Sequence, residues 1–323
     1  MGGNEVAGMA VGRREWMQGA GAIALGMATI DLWADGKPAT GGWIDTHTHF
    51  YDPTRPEGVP WPGKDGGKLY RTVLPPEFEK LGAKHGVTKT VIVEASPWLK
   101  DNDWLLGLVE KYSSVMGIVG NLDPALENFT EQVKRLAANP AYRGIRLSGD
   151  RVPKLLADKN QLSHLRAMEE SGLILDLNCD KVFVHAVAIA KQFPKLRIVI
   201  NHMGNVAIDG KTPPKEWSET LLPAAEFPLV WCKLSAVVEG SRKNDGTAPK
   251  DLNFYRPTLE TLWKAFGGKK LVYGSNWPVS DLFATYDTVF ELASTFVREQ
   301  DADAFPAVFR DNAIEAYQLT KKG

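Results

Sequence analysis

The sequence predicts an α/β protein whose fold is a (β/α)8 TIM barrel in a single domain, and three observations lead to this prediction. From Gly42 onward, short apolar segments alternate with longer segments in which apolar residues recur at helical spacing. Eight strand-like segments take part in this alternation, an order typical of a parallel sheet covered by helices. No glycine-rich phosphate-binding motif follows the first of them, which disfavours an open nucleotide-binding sheet.

The predicted strands are brief and mostly β-branched or aliphatic, as expected of parallel strands buried on both faces. In chain order they are Trp43–His49, Thr88–Ala95, Val115–Leu122, Tyr142–Ser148, Leu173–Cys179, Arg197–His202, Leu229–Ser235 and Lys270–Ser275. Amphipathic helices are predicted at Asp103–Tyr112, Ala125–Ala138, Lys181–Phe193, Thr258–Phe266 and Leu282–Val297. Two long connections, Phe50–Leu74 and Gly240–Tyr255, follow strands and are therefore expected on the face where barrel active sites form.

Residues 1–41 form a separate segment, which we interpret as an export signal of the twin-arginine type with a linker. The Arg13-Arg14 pair precedes a weakly apolar stretch, Gly19–Ile30, and a small polar segment follows it at Ala34–Thr40. The apolar stretch is shorter than the roughly 20 residues that a membrane span requires. The sequence therefore predicts an exported, periplasmic protein whose barrel domain occupies residues 42–323.

Charge and cysteine content limit the classes of partner. The 38 basic and 39 acidic residues leave a net charge of −1, so neither nucleic acid nor an anionic membrane is an expected partner. Cys179 and Cys232 each lie in an apolar strand segment, which predicts small buried side chains rather than a disulfide or a zinc site. The expected partner is a small-molecule substrate, and the composition carries no signal for an oligomeric state.

The strongest local motif is Asp45-Thr-His-Thr-His49 at the end of the first strand. Side chains two apart on a strand share a face, so Asp45, His47 and His49 are all expected to face the barrel interior. Two imidazoles at a barrel mouth can bind a divalent metal or hydrogen-bond to a substrate oxygen. Asp45, one step deeper, could orient one of the rings by accepting its N–H.

Other apolar strands also end in polar residues, which predicts a polar cavity because an isolated buried charge is costly. These residues are Glu94, Arg146, Asp176, Asn178, His202, Lys233 and Asn276. For Asp176 and Lys233, a structural salt bridge inside the barrel is the alternative interpretation. Arg146 could hold a substrate carboxylate or polarise a carbonyl through its fork of N–H donors. Trp61, Trp98 and Trp277 fall in loops on the same face and could form walls of a pocket.

Together these motifs resemble the amidohydrolase-related family, the branch of TIM-barrel hydrolases that contains sugar lactonases and 2-pyrone-4,6-dicarboxylate hydrolase. The resemblance spans essentially everything after Gly42. It is carried by Ile44-Asp-Thr-His-Thr-His49, Tyr51-Asp-Pro53, Pro60-Trp-Pro62, Arg143-Gly-Ile-Arg146, Asn201-His-Met-Gly204, Lys233-Leu-Ser235, Tyr273-Gly-Ser-Asn-Trp-Pro278 and Phe309-Arg-Asp-Asn-Ala313.

The resemblance implies roles for individual residues. His47 and His49 take the role of the family's strand-one histidines, His202 that of its later histidine, and Arg146 contacts a substrate carbonyl or carboxylate. A divalent metal, zinc or manganese, would lie on the three histidines. The chain departs from the family at Asn276, where most members have an aspartate that activates water; an amide cannot accept that proton. Some members also carry the asparagine.

Three functions remain open from the sequence. The first is hydrolysis of a lactone or related cyclic ester of a sugar acid or small carboxylic acid. Water would be activated by His202 or Glu94 without a metal, or by a metal on the histidines. The second is metal-dependent decarboxylation, and the third is non-catalytic binding of a sugar acid, which Asn276 favours. The candidate catalytic residues are His47, His49, His202, Asn276 and Glu94. The candidate substrate-binding residues are Arg146, Tyr51, Trp61, Trp277, Lys233 and Asp176.

Overall fold

The structure is a computed structural model that describes Met1 and residues 42–319. Its strands are β1 (Trp43–Thr48), β2 (Val87–Val93), β3 (Val115–Gly120), β4 (Tyr142–Ser148), β5 (Ile174–Asn178), β6 (Ile198–Ile200), β7 (Val230–Leu234) and β8 (Leu271–Tyr273). Its α-helices are α1 (Pro75–Ala83), α2 (Asp101–Lys111), α3 (Phe129–Ala137), α4 (Arg151–Ala157), α5 (Lys159–Glu170), α6 (Val182–Gln192), α7 (Lys215–Ala225), α8 (Leu252–Lys270), α9 (Tyr286–Gln300) and α10 (Asn312–Ala316). The segment interpreted as an export signal lies outside the described residues and stays a prediction.

The eight strands are parallel and neighbour one another in chain order from β1 to β8. The barrel is completed just beyond the short β8, where the N–H of Asn276 donates to the His47 carbonyl at 2.9 Å and the N–H of His49 donates to the Trp277 carbonyl at 2.9 Å. These bonds join the last strand to the first and confirm the predicted (β/α)8 barrel. They also bring the polar end of β1 beside the polar end of β8.

The helices form where apolar residues repeat at helical spacing. In α3, Phe129, Val133 and Leu136 are buried against the barrel, while Lys134 and Arg135 point to solvent. The predicted helix in this region began at Ala125, but residues 125–128 form turns and the helix begins at Phe129. The sequence did not predict α1, α4, α5 or α7, and it indicated α10 only through the resemblance at Phe309-Arg-Asp-Asn-Ala313. Of these, α4 has only seven residues and α7 contains Pro223.

Two apolar layers fill the structure. The larger lies between the sheet and its helices, and a smaller one fills the barrel interior with side chains such as Val91, Val199, Trp231 and Val272. Residues of α10 and the following Tyr317 belong to this inner layer, so the chain's end closes the barrel from below. The open end is therefore the one at which the strands terminate. No α-helix within residues 42–319 is long and apolar enough to span a bilayer.

The prediction that Asp45 shares a face with both histidines is wrong. The pairing of β1 with β2 is irregular between Asp45 and Thr48, and such a bulge breaks the strict alternation of side chains. The Asp45 carboxylate accepts the backbone N–H groups of His47 and Ser275 at 3.0 and 2.9 Å and the Tyr286 hydroxyl at 3.2 Å. Asp45 therefore braces the junction of β1 and β8 and touches neither imidazole ring.

Candidate active site

One cavity of about 690 Å³ opens where the strands end, a size typical of small-molecule sites. Six of the predicted site residues line it: His49, Trp61, Glu94, Arg146, His202 and Asn276. The other five lie behind this lining and are buried: His47, Tyr51, Asp176, Lys233 and Trp277. The structure thus brings the predicted residues to one end of the barrel but separates them into two layers.

The deeper layer, the floor of the site, consists of His47, Lys233 and Asp176, all 0% exposed. The Lys233 ammonium donates to Asp176 Oδ2 at 2.7 Å and lies 3.1 Å from His47 Nδ1. Burial lowers the pKa of Lys233 to about 8, so the group is still largely an ammonium at neutral pH. Direct substrate binding by Lys233 and Asp176 is incompatible with this burial, and the alternative interpretation, a salt bridge inside the barrel, describes their arrangement.

The Nε2 atom of His47 has no hydrogen-bond partner among the described residues. Because Nδ1 faces Lys233 below, Nε2 faces the upper layer, where the rings of His202 and His49 lie 4.3 and 4.9 Å away between ring centroids. An unpaired buried polar nitrogen costs on the order of 1–3 kcal/mol. His47 therefore keeps a hydrogen-bonding position available directly beneath the cavity lining.

His49 is also contacted at Nδ1, but by an acceptor rather than by a donor. Its Nδ1 lies 2.9 Å from the Val93 carbonyl, which can only accept a hydrogen bond, so Nδ1 carries the proton. Burial and the Arg146 charge lower the pKa of His49 to about 3, which keeps the ring neutral and leaves Nε2 as an acceptor. His49 therefore cannot donate to a substrate oxyanion from Nε2.

Asn276 stands between His49 and a buried acid that the sequence did not single out. Its Nδ2 donates to Glu239 Oε1 at 2.9 Å, and its Oδ1 lies 3.3 Å from His49 Nε2. Burial raises the pKa of Glu239 to about 7, so the carboxyl can be neutral and donate. After a half-turn of the amide, Asn276 can accept from Glu239 and donate to His49 Nε2.

His202 follows β6 in a left-handed backbone conformation, with φ at 55°. This conformation is uncommon outside glycine, and a strained residue at a strand end favours a functional role. Its Nδ1 lies 3.0 Å from Ser235 Oγ, which fixes the ring against β7. Burial, with the charges of Arg146 and Lys233, lowers the pKa of His202 well below its usual range, so the ring is neutral.

The upper layer also contains an acid and two guanidinium groups, which form the wall of the cavity. Burial raises the pKa of Glu94 to about 7, against the lowering effect of Arg146 and Arg151. Arg146 reaches only the Glu94 carbonyl, at 3.4 Å, and forms no salt bridge with a described residue. Arg151 donates to Asn121 Oδ1 at 2.8 Å and to the Arg146 carbonyl at 3.0 Å. The wall therefore presents two guanidinium groups that form no salt bridge with a carboxylate in the described part of the chain.

Among the predicted aromatic contacts, only Trp61 lines the cavity. Tyr51 lies behind it, with ring centroids 5.4 Å apart, and donates its hydroxyl to the Leu69 carbonyl at 2.9 Å. Trp277 is 0% exposed and packs against Phe50 and Phe78. Trp98 is not in the lining. Tyr51 and Trp277 therefore support the wall rather than contact a substrate, because their rings are enclosed by the long loop after β1 and by α1.

The sequence missed three functional neighbours: Glu239, Ser235 and Arg151. Glu239 is a charged residue that follows an apolar run after β7, and Arg151 comes five positions after Arg146. An acid among apolar residues beside a strand end was a usable signal. The hydrogen-bond partner of each group could not be predicted from the sequence, because Asn276 and Glu239 meet only through the packing of β8 against the connection that follows β7.

The donor set does not fit the predicted three-histidine metal site. Within residues 42–319 no group of three or more His, Cys, Asp and Glu side chains is arranged to hold a metal ion. A neutral imidazole that binds a metal through Nε2 carries its proton on Nδ1, and in His47 that atom lies 3.1 Å from the Lys233 ammonium, which is itself a donor. The β8 position that could supply a carboxylate ligand is Asn276.

The fold and this constellation define a barrel hydrolase, and comparison with known proteins identifies the family. Residues 44–319 match the amidohydrolase family, so the chain belongs to it. An L-fucono-1,5-lactonase of Burkholderia ambifaria is 31% identical over 86% of this chain and 96% of that protein. The chain is accordingly a hydrolase of the amidohydrolase family.

Two solved structures share the fold. An amidohydrolase from Burkholderia multivorans with bound zinc is 24% identical and has a TM-score of 0.77 over 87% of this chain and 100% of its own. A probable 2-pyrone-4,6-dicarboxylic acid hydrolase from Acinetobacter baumannii with bound citric acid is 19% identical, with a TM-score of 0.69 over 86% and 100% of the two chains. At these identities the likeness establishes the architecture alone.

Proposed function

We propose that this protein hydrolyses the lactone of a sugar acid, and that L-fucono-1,5-lactone is the first substrate to test. The name of the Burkholderia ambifaria relative supports this substrate class. The observation that carries the proposal is the wall of the cavity, where Glu94, with a pKa near neutrality, and the unneutralised Arg146 face one space. Ester hydrolysis is accelerated by a general base that activates water and by a hydrogen-bond donor or cation that stabilises the oxyanion.

In this mechanism Glu94 is the general base. Its carboxylate removes a proton from water as the water oxygen attacks the lactone carbonyl carbon. The bond between that carbon and the ring oxygen then breaks, and Glu94 returns the proton to the departing oxygen, which leaves the open-chain hydroxy acid. Glu94 suits this cycle better than His202, the other base that the sequence left open, because the depressed pKa of His202 makes it a weak proton acceptor.

The oxyanion that forms during attack is stabilised by Arg146 from the wall and by His47 Nε2–H from below. Within residues 42–319, Arg146 has no salt bridge that must break before it binds the substrate, so its fork of donors is available to the carbonyl oxygen. His49 and His202 lie beside them as neutral rings. His202 can hydrogen-bond to a sugar hydroxyl, whereas His49 Nε2 lies 3.3 Å from the Asn276 side chain. No step of this mechanism is routed through a metal, and the decarboxylation alternative, which depends on a metal, has no support from the donor set.

The test is the pH dependence of lactone opening, measured with and without a chelator. Glu94 must be deprotonated to act, and its pKa is raised to about 7, so kcat/KM should increase with pH through neutrality. Two pH units below that pKa, at about pH 5, the rate should be about 1% of its plateau. A chelator should leave the whole profile unchanged.

Glu94→Gln is the matched variant, because the amide keeps the size of the side chain and removes its proton chemistry. We expect kcat to decrease by about 10²–10⁴-fold and the dependence on pH near 7 to disappear. Rates are corrected for the spontaneous hydrolysis of the lactone. A Glu94→Gln variant with a wild-type rate and profile would exclude Glu94 as the base, and loss of activity with the chelator would restore a metal mechanism.

A further inference from the structure

The two histidines of strand β1 are two residues apart, but their ring nitrogens meet opposite chemical groups. His49 Nδ1 faces the Val93 carbonyl, an acceptor, at 2.9 Å. His47 Nδ1 faces the Lys233 side-chain nitrogen at 3.1 Å, and that nitrogen is held 2.7 Å from Asp176 Oδ2. In a neutral imidazole one nitrogen donates and the other accepts, and the partner of one nitrogen decides the state of the other.

We propose that Lys233, held by Asp176, is a positioning residue that fixes His47 as the Nε2–H tautomer, so that the two strand-one histidines carry their protons on opposite nitrogens. His47, on the floor, then directs a hydrogen-bond donor toward the cavity. His49, in the lining, has an acceptor nitrogen instead. The tautomer itself does not depend on the proposed function. The inference rests on that function in one respect, namely that the donor contacts the carbonyl oxygen of the lactone.

The surroundings of Lys233 exclude direct contact with a ligand in the cavity. The side chain is 0% exposed, and its ammonium lies 5.5 Å from the centre of the Tyr317 ring, whose hydroxyl donates to Asp176 Oδ1 at 3.3 Å. Replacement of a buried ion pair by apolar groups is often neutral or stabilising, so stability alone does not account for this pair. An ammonium group that a carboxylate holds against one imidazole nitrogen donates to that nitrogen, and the ring proton is then on the other nitrogen.

The direct test is nitrogen NMR of the full chain with ¹⁵N-labelled histidine, of which there are six. A protonated ring nitrogen resonates far upfield of an unprotonated one, so each tautomer is read directly, and His47→Gln and His49→Gln assign the two signals. We expect the proton on Nε2 in His47 and on Nδ1 in His49. A wild-type His47 protonated on Nδ1 would overturn the inference whether or not the protein opens lactones.

Variants of the pair provide the second measurement. Lys233→Met should release His47 from its single tautomer and decrease kcat by about 10–100-fold, with little change in KM. Because a lone Asp176 carboxylate could unfold the barrel, the double variant Asp176→Asn with Lys233→Met is measured as well, since asparagine still accepts from Tyr317. An unchanged His47 signal in a folded variant would also refute the role of Lys233.

Lys270→Met is the matched control. Lys270 is a partly buried lysine that donates to the carbonyls of Ala225 and Phe227, away from the cavity. Its loss should affect stability and leave the His47 signal and kcat unchanged. If His47 shows the Nε2–H tautomer but no lactone is opened, the positioning role stands and the proposed function fails, so the two outcomes are distinguishable.

Discussion

The floor and the wall of the cavity differ in whether their charged side chains are paired with a charge of opposite sign. On the floor, the Lys233 ammonium is neutralised by Asp176 and directed at His47, all of them 0% exposed. On the wall, Arg146 forms no salt bridge with any described carboxylate, and burial raises the pKa of Glu94 to about 7. Charges that are satisfied within the protein organise other groups, whereas charges that are left unsatisfied are available to a ligand.

The largest effect that would test this contrast is expected from the wall. Arg146→Met removes the unneutralised guanidinium and keeps most of its apolar volume. We expect kcat/KM for the lactone to decrease by about 10²–10³-fold, the usual loss for one oxyanion donor. Thermal unfolding should show an equal or higher Tm, because the variant removes a half-buried guanidinium that has no salt-bridge partner among the described residues.

The floor variant Lys233→Met supplies the comparison for that result. It should lower the Tm where Arg146→Met does not, because it leaves Asp176 buried and unpaired. If both variants lowered the Tm by the same amount, the distinction between a satisfied floor and an unsatisfied wall would be wrong.

A smaller effect is expected at the boundary between the layers, in Asn276→Asp. The new carboxyl would lie beside Glu239, whose pKa is already raised to about 7, and two adjacent carboxyls share a proton. A carboxyl whose pKa is higher in the folded than in the unfolded protein stabilises the fold at low pH. That stability is lost as the pH rises from about 4.3, the pKa of the unfolded state, through the pKa of the folded state. The variant should therefore lose about 5 °C of Tm at pH 8 and much less at pH 6.

The control for this substitution is Asn128→Asp at the exposed start of α3. No acid is buried beside it, so its Tm should change little with pH. Equal behaviour of the two variants would show that the Glu239 carboxyl does not sense position 276.

The smallest effect is expected at Trp61, the one predicted tryptophan in the cavity lining. Trp61→Leu removes aromatic surface that a sugar ring can pack against, so KM should increase by about threefold to tenfold with kcat nearly unchanged. Trp98→Leu, outside the lining, serves as the control and should leave both constants unchanged. A reversed outcome would relocate the substrate toward the loop that contains Trp98.

Much of this molecule follows from local patterns in its sequence. The alternation of apolar strands with amphipathic segments is sufficient for the barrel, because a buried parallel strand and a half-buried helix require different spacings of apolar residues. Polar residues at strand ends also predict the location of the site, since all strand ends in such a barrel meet at one face. Some helices are less recognisable: α4 has only seven residues, and α7 contains Pro223, a residue that disfavours a helix interior.

Tertiary structure alone decided which of these polar residues reach the cavity and what each can do there. His47 and His49 are indistinguishable as sequence, yet one ring nitrogen meets Lys233, 186 positions away, and the other meets the Val93 carbonyl. A bulge in β1 turned Asp45 away from both rings. Protonation depends on the nearest donor, acceptor and charge, and in a barrel those neighbours come from strands remote in the chain.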